Sequence, residues 1–458
     1  MNSSTGISHC RFQLTTSRGS SNDFSDTRKH PKARNPDSHA ALLFGKGIPI
    51  GLTSRFAATS SSIATAFWIG LGGLFLMGGN LIYAHLLSKA DFGRLNLLLA
   101  NYFLLSGLIP LGFDKLVARG QLFPSGAFLT RFCPLALLVI IGFLIGVGRL
   151  FDLLFSECVV IGVTAFFAGL VYFHAALYQR KLKLNTAQAL IQLPFCVYLL
   201  GSIVSMAMGI DSAAEAFIFF TIGYAINLVF IAVVRATRQE FYSRWEAEIS
   251  NPSFLRHAKQ AFSFLGIAGS FIVLNQIERL SAGRFLTWED LATLGLVITL
   301  VGSPFRLMGA GSAFSLMPRM LNEKNPAIRK SLFFQEIIFL LGVGVLITLF
   351  ALLAVPWLVH IFYGQKYALS YSLIVLMIAN GSIKMLYGCV SALVNATASS
   401  RTLFWFNLVG WINMALTVVL IYLLRGYGIS GIVIGSTLGW LLRTASGYTI
   451  SSPALKQL

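Results

Sequence analysis

Acidic side chains are scarce in this chain. Of 458 residues, 17 are Asp or Glu against 35 Lys or Arg, and charged residues of both signs make up 11%. A soluble domain of this length carries roughly a quarter charged residues, because charge covers a water-facing surface. So few charges exclude a water-soluble globule. A hydrophobic fraction of 56% names lipid as the solvent instead. The five cysteines, Cys10, Cys133, Cys158, Cys196 and Cys389, form no CxxC pair, which argues against a disulfide framework or a zinc site. No GxxxxGK[ST] loop and no HExxH occurs, so neither nucleotide hydrolysis nor zinc-peptidase chemistry is expected. The expectation is a protein that is not an enzyme and holds no cofactor and no metal.

What the chain does have is a repeated theme of spans of about 20 apolar residues, the length that crosses about 30 Å of hydrocarbon. About twelve such spans follow one another, six between residues 61 and 234 and six between residues 261 and 450. Each must be helical, because lipid offers no partner to an unpaired backbone group. The fold class expected is therefore an all-α polytopic membrane protein. Its organisation reads as a disordered basic tail over 1–57, a six-helix lobe over 58–234, a polar linker over 235–259 and a second six-helix lobe over 260–458. The tail is rich in Ser, Thr, Asn, Arg and Lys and shows no helical apolar period, a composition that does not bury a core.

The net charge of +18 is read as topology rather than as nucleic-acid binding, because cytoplasmic loops collect Lys and Arg. With the N-terminus in the cytoplasm, the inner loops hold Arg119, Arg131, Arg180, Lys181, Lys183, Arg235, Arg319 and Arg401 among others. The outer loops mix Lys89, Arg94, Arg284 and Lys366 with Asp91, Glu157, Asp211 and Glu289. An even number of spans then leaves both termini cytoplasmic. No outer loop is long enough to be a catalytic domain, which weighs against an envelope polymerase or ligase.

The stretch LLSKADFGRLNLLLANYFLLSGLIPLGFDKLVAR, from Leu86 to Arg119, has a fainter copy that begins at Phe285. At an offset of 199 residues, Leu87, Asp91, Leu95 and Leu97 meet Leu286, Asp290, Leu294 and Leu296. Each copy is a polar turn between the first and second helix of its half. Like-oriented halves imply a parallel pseudo-two-fold along the membrane normal and a substrate site between the two lobes. Gly107 with Pro110 in the second helix, and Gly302 with Pro304 in the eighth, are breaks of the kind that line such a site. They also suit ordinary membrane helices, where Gly and Pro are common.

Ionisable groups inside spans are costly and commonly face an aqueous cavity. Arg306 in the eighth helix and Lys384 in the tenth are two such cations, both in the second half. They suit an anionic phosphate group, which a guanidinium grips with a fork and an ammonium with a point charge. The alternative is that both snorkel to the inner interface. Asp114 and Lys115 end the second helix and suit a coupling or gating pair, or a local ion pair. Glu278 and Arg279 are placed at the outer end of the seventh helix, where they suit a gate with Arg284 or a plain cap.

At these residues the chain resembles the polysaccharide transport proteins of the MATE-like (MOP) flippase superfamily, the Wzx-type O-antigen flippases. The resemblance rests on the turn Leu86–Gly93, on Gly112-Phe113-Asp114-Lys115, on Glu278-Arg279-Leu280, on Met317-Pro318-Arg319 and on the run Arg425–Gly431. It covers about residues 58–450. Ser88 stands where the family's turn has Gly, and Glu278 where it has Asp. The resemblance implies two six-helix lobes around a cationic cavity in the cytoplasmic (inner) membrane. It also implies flipping of an undecaprenyl-pyrophosphate-linked oligosaccharide, an O-antigen or exopolysaccharide unit, by alternating access. The partners implied are the polyprenyl-pyrophosphate-linked oligosaccharide, the lipid bilayer and other polysaccharide-assembly proteins, with no nucleic acid. A multidrug or small-solute antiporter of the same superfamily is the alternative, and a peptidoglycan-precursor flippase would be expected to have about two further helices.

Overall fold

A backbone in hydrocarbon must satisfy its own hydrogen bonds, and this chain does so with helices. The computed structural model describes residues 50–181, 183–237, 254–323 and 325–452, and among the described residues no strand occurs. The first half comprises α1 (Ile50–Leu86), α2 (Lys89–Leu108), the short α3 (Phe113–Ala118), α4 (Gly126–Phe151), α5 (Phe155–Arg180), α6 (Leu184–Met208) and α7 (Ala213–Thr237). The second comprises α8 (Phe254–Phe285), α9 (Trp288–Val297), α10 (Ser303–Asn322), α11 (Pro326–Tyr363), α12 (Tyr371–Thr397), α13 (Ser400–Leu424) and α14 (Gly428–Ser451). A π turn over Ile298–Gly302 joins α9 to α10 as one span. Among the described residues, ten stretches are long and apolar enough to cross a membrane, and one of them, Arg401–Ser451, holds both α13 and α14. The 20 residues of α2 supply about 30 Å at 1.5 Å per residue, which makes a twelfth span.

Two sequence expectations change at their edges. The helix α1 already starts at Ile50, inside the expected tail, and α8 starts at Phe254, inside the expected linker. The rest of the tail, residues 1–49, and residues 238–253 of the linker lie outside the described residues.

The repeated turn is a helix cap used twice. Ser88 Oγ accepts a hydrogen bond from the Asp91 backbone N–H at 3.0 Å and opens α2. Thr287 Oγ1 accepts from the Asp290 N–H at 3.2 Å and opens α9. Such a cap satisfies one of the four N–H groups that a helix start leaves unpaired. Below the caps both second helices are interrupted, as Pro110 and Pro304 led one to expect. The break in α2 is the sharper one: Leu111 and Gly112 take left-handed conformations, with φ of 52° and 79°. A Cβ on Gly112 would lie 2.1 Å from the Ala261 carbonyl oxygen, so only glycine fits this crossing.

Helix neighbours repeat from one half to the other. In the first half α2 packs on α5, α5 on α7, α6 on α7 and α4 on α5. The equivalent pairs of the second half, α10 with α12, α12 with α14, α13 with α14 and α11 with α12, pack in the same way. That correspondence gives two six-helix lobes related by a parallel pseudo-two-fold. The lobes meet where α2 packs on α8 and α9. Close approach there requires Gly93, whose Cβ would sit 2.0 Å from the Trp288 carbonyl oxygen.

Candidate functional site

Between the lobes lies a cavity of about 440 Å³. Its first-lobe wall, on α1 and α2, is made of Gly73, Leu76, Met77, Asn80 and Phe103 and carries no charge. Every charged group in the lining comes from the second lobe: Arg279 of α8, Arg306 of α10 and Lys384 of α12. Arg306 projects from the first turn after the π turn and Pro304, so the helix break places it.

The three cations are not equivalent. Lys384 Nζ donates to both oxygens of Glu278, at 2.7 and 2.8 Å. Ser436 Oγ donates to Glu278 Oε1 at 2.6 Å, and the ammonium lies 5.7 Å from the centre of the Trp440 ring. Glu278 is therefore a satisfied carboxylate whose charge Lys384 balances. Arg279 is 5% exposed, and its Nε has no hydrogen-bond partner among the described residues. Arg306 has no hydrogen bond and no ion pair among the described residues. Two positive charges thus stand uncompensated beside the cavity. A buried charge without a partner costs several kcal/mol, so the arrangement favours an anionic ligand.

The structure redistributes the expected site residues. Arg306 and Lys384 share one cavity. Glu278 and Arg279 are not at the end of their helix, which runs on to Phe285. Among the described residues neither makes a hydrogen bond or ion pair with Arg284, an exposed residue near that end. Glu278 reaches Lys384 instead, across 106 residues of chain, and Arg279 joins the cavity lining. Asp114 and Lys115 form a local pair at 3.1 Å. They line a separate pocket of about 420 Å³ with Tyr172 and Gln179. That pocket shares Phe271 and Ile272 with the central cavity, so the two adjoin along α8.

One buried cation escaped the sequence reading. Arg443 of α14 is 2% exposed. Its Nε donates to the Tyr387 hydroxyl at 3.0 Å and its terminal nitrogens to Ser270 Oγ at 3.2 Å. It fixes Tyr387 in the cavity wall. The signal was the one that marked Arg306, a lone cation inside an apolar span.

At the end of the bundle that carries the Ser88 turn, the second lobe grips the first. The last carbonyls of α1 have no partner within their own helix. Lys366 Nζ, from the loop after α11, donates to the carbonyls of Ala84 at 2.8 Å, His85 at 3.1 Å and Leu87 at 2.5 Å. Tyr363 donates to Leu81 O at 2.9 Å and Tyr367 to Ala84 O at 3.2 Å. A cation on a helix C-terminus also meets the negative end of its dipole.

No protein-family model matches the chain, and no curated protein matches it in sequence. Solved structures do match in three dimensions. A multidrug resistance MATE family transporter of the MOP superfamily, in its inward-facing conformation, superposes with a TM-score of 0.58 at 14% identity, covering 86% of this chain and 99% of that one. The chain has the fold of the MOP-superfamily transporters. Within that fold, the lipid II flippase MurJ in an inward closed conformation matches with a TM-score of 0.57 at 12% identity, over 86% of this chain and 91% of that one. The Vibrio cholerae MATE transporter VcmN, as a D35N mutant, gives 0.55 at 15% identity, over 89% and 99%. That fold has twelve helices in two lobes, as this chain does.

Proposed function

We propose that this chain flips an anionic lipid-linked oligosaccharide, the polyprenyl-pyrophosphate class, across the cytoplasmic membrane by alternating access. The observation that carries the reading is the pair of uncompensated guanidiniums, Arg279 and Arg306, on one wall of the cavity between the lobes. A pyrophosphate diester bears one negative charge on each phosphate, which matches that pair. Lys384, already held by Glu278, lies alongside as a third donor. The prenyl chain stays in lipid while the lobes, 58–234 and 260–458, rock about the α2 contacts. The likeness of fold to a lipid II flippase supports a lipid substrate. The Wzx-type motifs support the sugar, an inner-membrane location with both termini cytoplasmic, and neighbours in polysaccharide assembly.

The test is Arg306→Ala in cells that depend on the protein for a surface polysaccharide. The expected result is loss of lipid-linked sugar translocation, with the protein still present in the membrane. Normal polysaccharide in that variant would overturn the reading. Unchanged polysaccharide together with loss of drug efflux would favour the multidrug antiporter.

A further inference from the structure

The cavity holds more unsatisfied polarity than an anion needs. Three buried polar atoms in its lining have no hydrogen-bond partner among the described residues: Arg279 Nε, Trp440 Nε1 and Gln276 Oε1. Leaving such an atom unpaired in a folded protein is unfavourable, so each orphan calls for a partner. The first two are donors, and phosphate oxygens can satisfy them. The third is an acceptor. An ionised pyrophosphate has no proton to give it. It is the carbonyl end of the Gln276 amide that is buried without a partner among the described residues.

We infer that Gln276 and Trp440 form a subsite for a hydroxylated ring, the first sugar attached to the pyrophosphate. This rests on the reading of the cavity as an anionic-headgroup site. A hydroxyl both donates and accepts, so it answers Gln276 Oε1 and Trp440 Nε1 together. Gln276 lies three residues before Arg279 on α8, on the same side of that helix. A group bonded to the phosphate on Arg279 therefore arrives beside Gln276. An apolar surface completes the subsite. Phe271 and Tyr387 stack with ring centres 5.7 Å apart and planes at 21°, and Trp440 stands edge-on to Tyr387 at 5.2 Å. The C–H face of a sugar packs on the negative face of such rings. Arg443 Nε donates to the Tyr387 hydroxyl and fixes that ring. Gln276 is thus a specificity residue: it prefers a glycosylated head group to a bare one.

The test uses the full chain, purified in lipid nanodiscs, and two probes. One is a short-chain prenyl diphosphate methylated on its terminal phosphate, so that it too carries one charge on each phosphate, and the other has a hexose in place of that methyl group. Wild type should bind the hexosylated probe about tenfold tighter, the order of gain that one net hydrogen bond supplies. Gln276→Leu should reduce that ratio to below twofold. Trp440→Phe keeps an aromatic face but removes the donor, and it should lower the ratio in the same direction if Gln276→Leu fails to fold. Equal binding of both probes by wild type overturns this inference and leaves the proposed function standing. If neither probe binds, the proposed function falls and this inference with it.

Discussion

Lys366 offers the most direct perturbation of the transport cycle. Its ammonium joins the second lobe to two terminal carbonyls of α1 and to that of Leu87 just beyond it, so opening that end of the bundle must break all three bonds. A hydrogen bond with one charged partner contributes about 1.5–3 kcal/mol, and a cation at a helix C-terminus about 0.3–1 kcal/mol. Two costs oppose these gains. Partial burial pushes the Lys366 ammonium below the usual lysine value, so the protonated amine is disfavoured in the closed arrangement. Fixing a lysine side chain also costs up to about 2 kcal/mol of rotamer freedom. The low ends of these ranges leave about 3 kcal/mol for the closed state; taking about 2 kcal/mol to allow for the cost of burying the ammonium, tenfold per 1.4 kcal/mol makes that about 25-fold in the closed-to-open ratio. The perturbation is Lys366→Met, which keeps the stem and removes the ammonium. The assay is the labelling rate of a single cysteine at Ser391, in the cavity lining, with the native cysteines replaced. A membrane-impermeant thiol reagent is applied from the side of the Ser88 turn. Where opening and closing are fast relative to labelling, the rate tracks the open population. An increase of at least fivefold, approaching 25-fold, is expected. A change smaller than twofold would refute the claim that this contact holds the end shut.

Two further predictions concern packing. Glu278→Gln should lower stability by about 3–5 kcal/mol by stranding Lys384, whereas the double change Glu278→Gln with Lys384→Met should recover most of the loss; thermal unfolding in detergent measures both, and additive losses would argue against coupling. Gly93→Ala should separate α2 from α9, because its Cβ meets the Trp288 carbonyl at 2.0 Å and a backbone atom cannot rotate away. A lower unfolding temperature and faster labelling of the Ser391 cysteine are expected, and no change in either would show that the lobes do not rely on this contact.

Much of the architecture was legible in sequence because lipid simplifies the problem. An apolar run of sufficient length has one viable backbone structure there, so the number of spans followed from counting. The turn at Leu86 and its copy at Phe285 also proved legible, since Ser88 with Asp91 and Thr287 with Asp290 are local caps that depend on neighbours three residues apart. That the mid-span cations of the cavity belong to the second half was visible for the same reason. Arg443 was equally visible and was missed.

The partners of those charges were a different matter. A soluble amphipathic helix announces its buried face through its apolar period, but these helices are apolar toward lipid and core alike, so their rotation leaves little trace in the sequence. Nothing local shows that Glu278 turns toward Lys384, 106 residues away, while Arg279 beside it stays unpaired. Helix rotation and the crossing of α8 with α12 and α14 decided that. By itself the sequence determined that this is a helical membrane protein of two like halves with its mid-span cations on one side. Only the tertiary structure decided which cations remain free for a ligand, because charge pairing depends on distances between helices that the chain brings together only on folding.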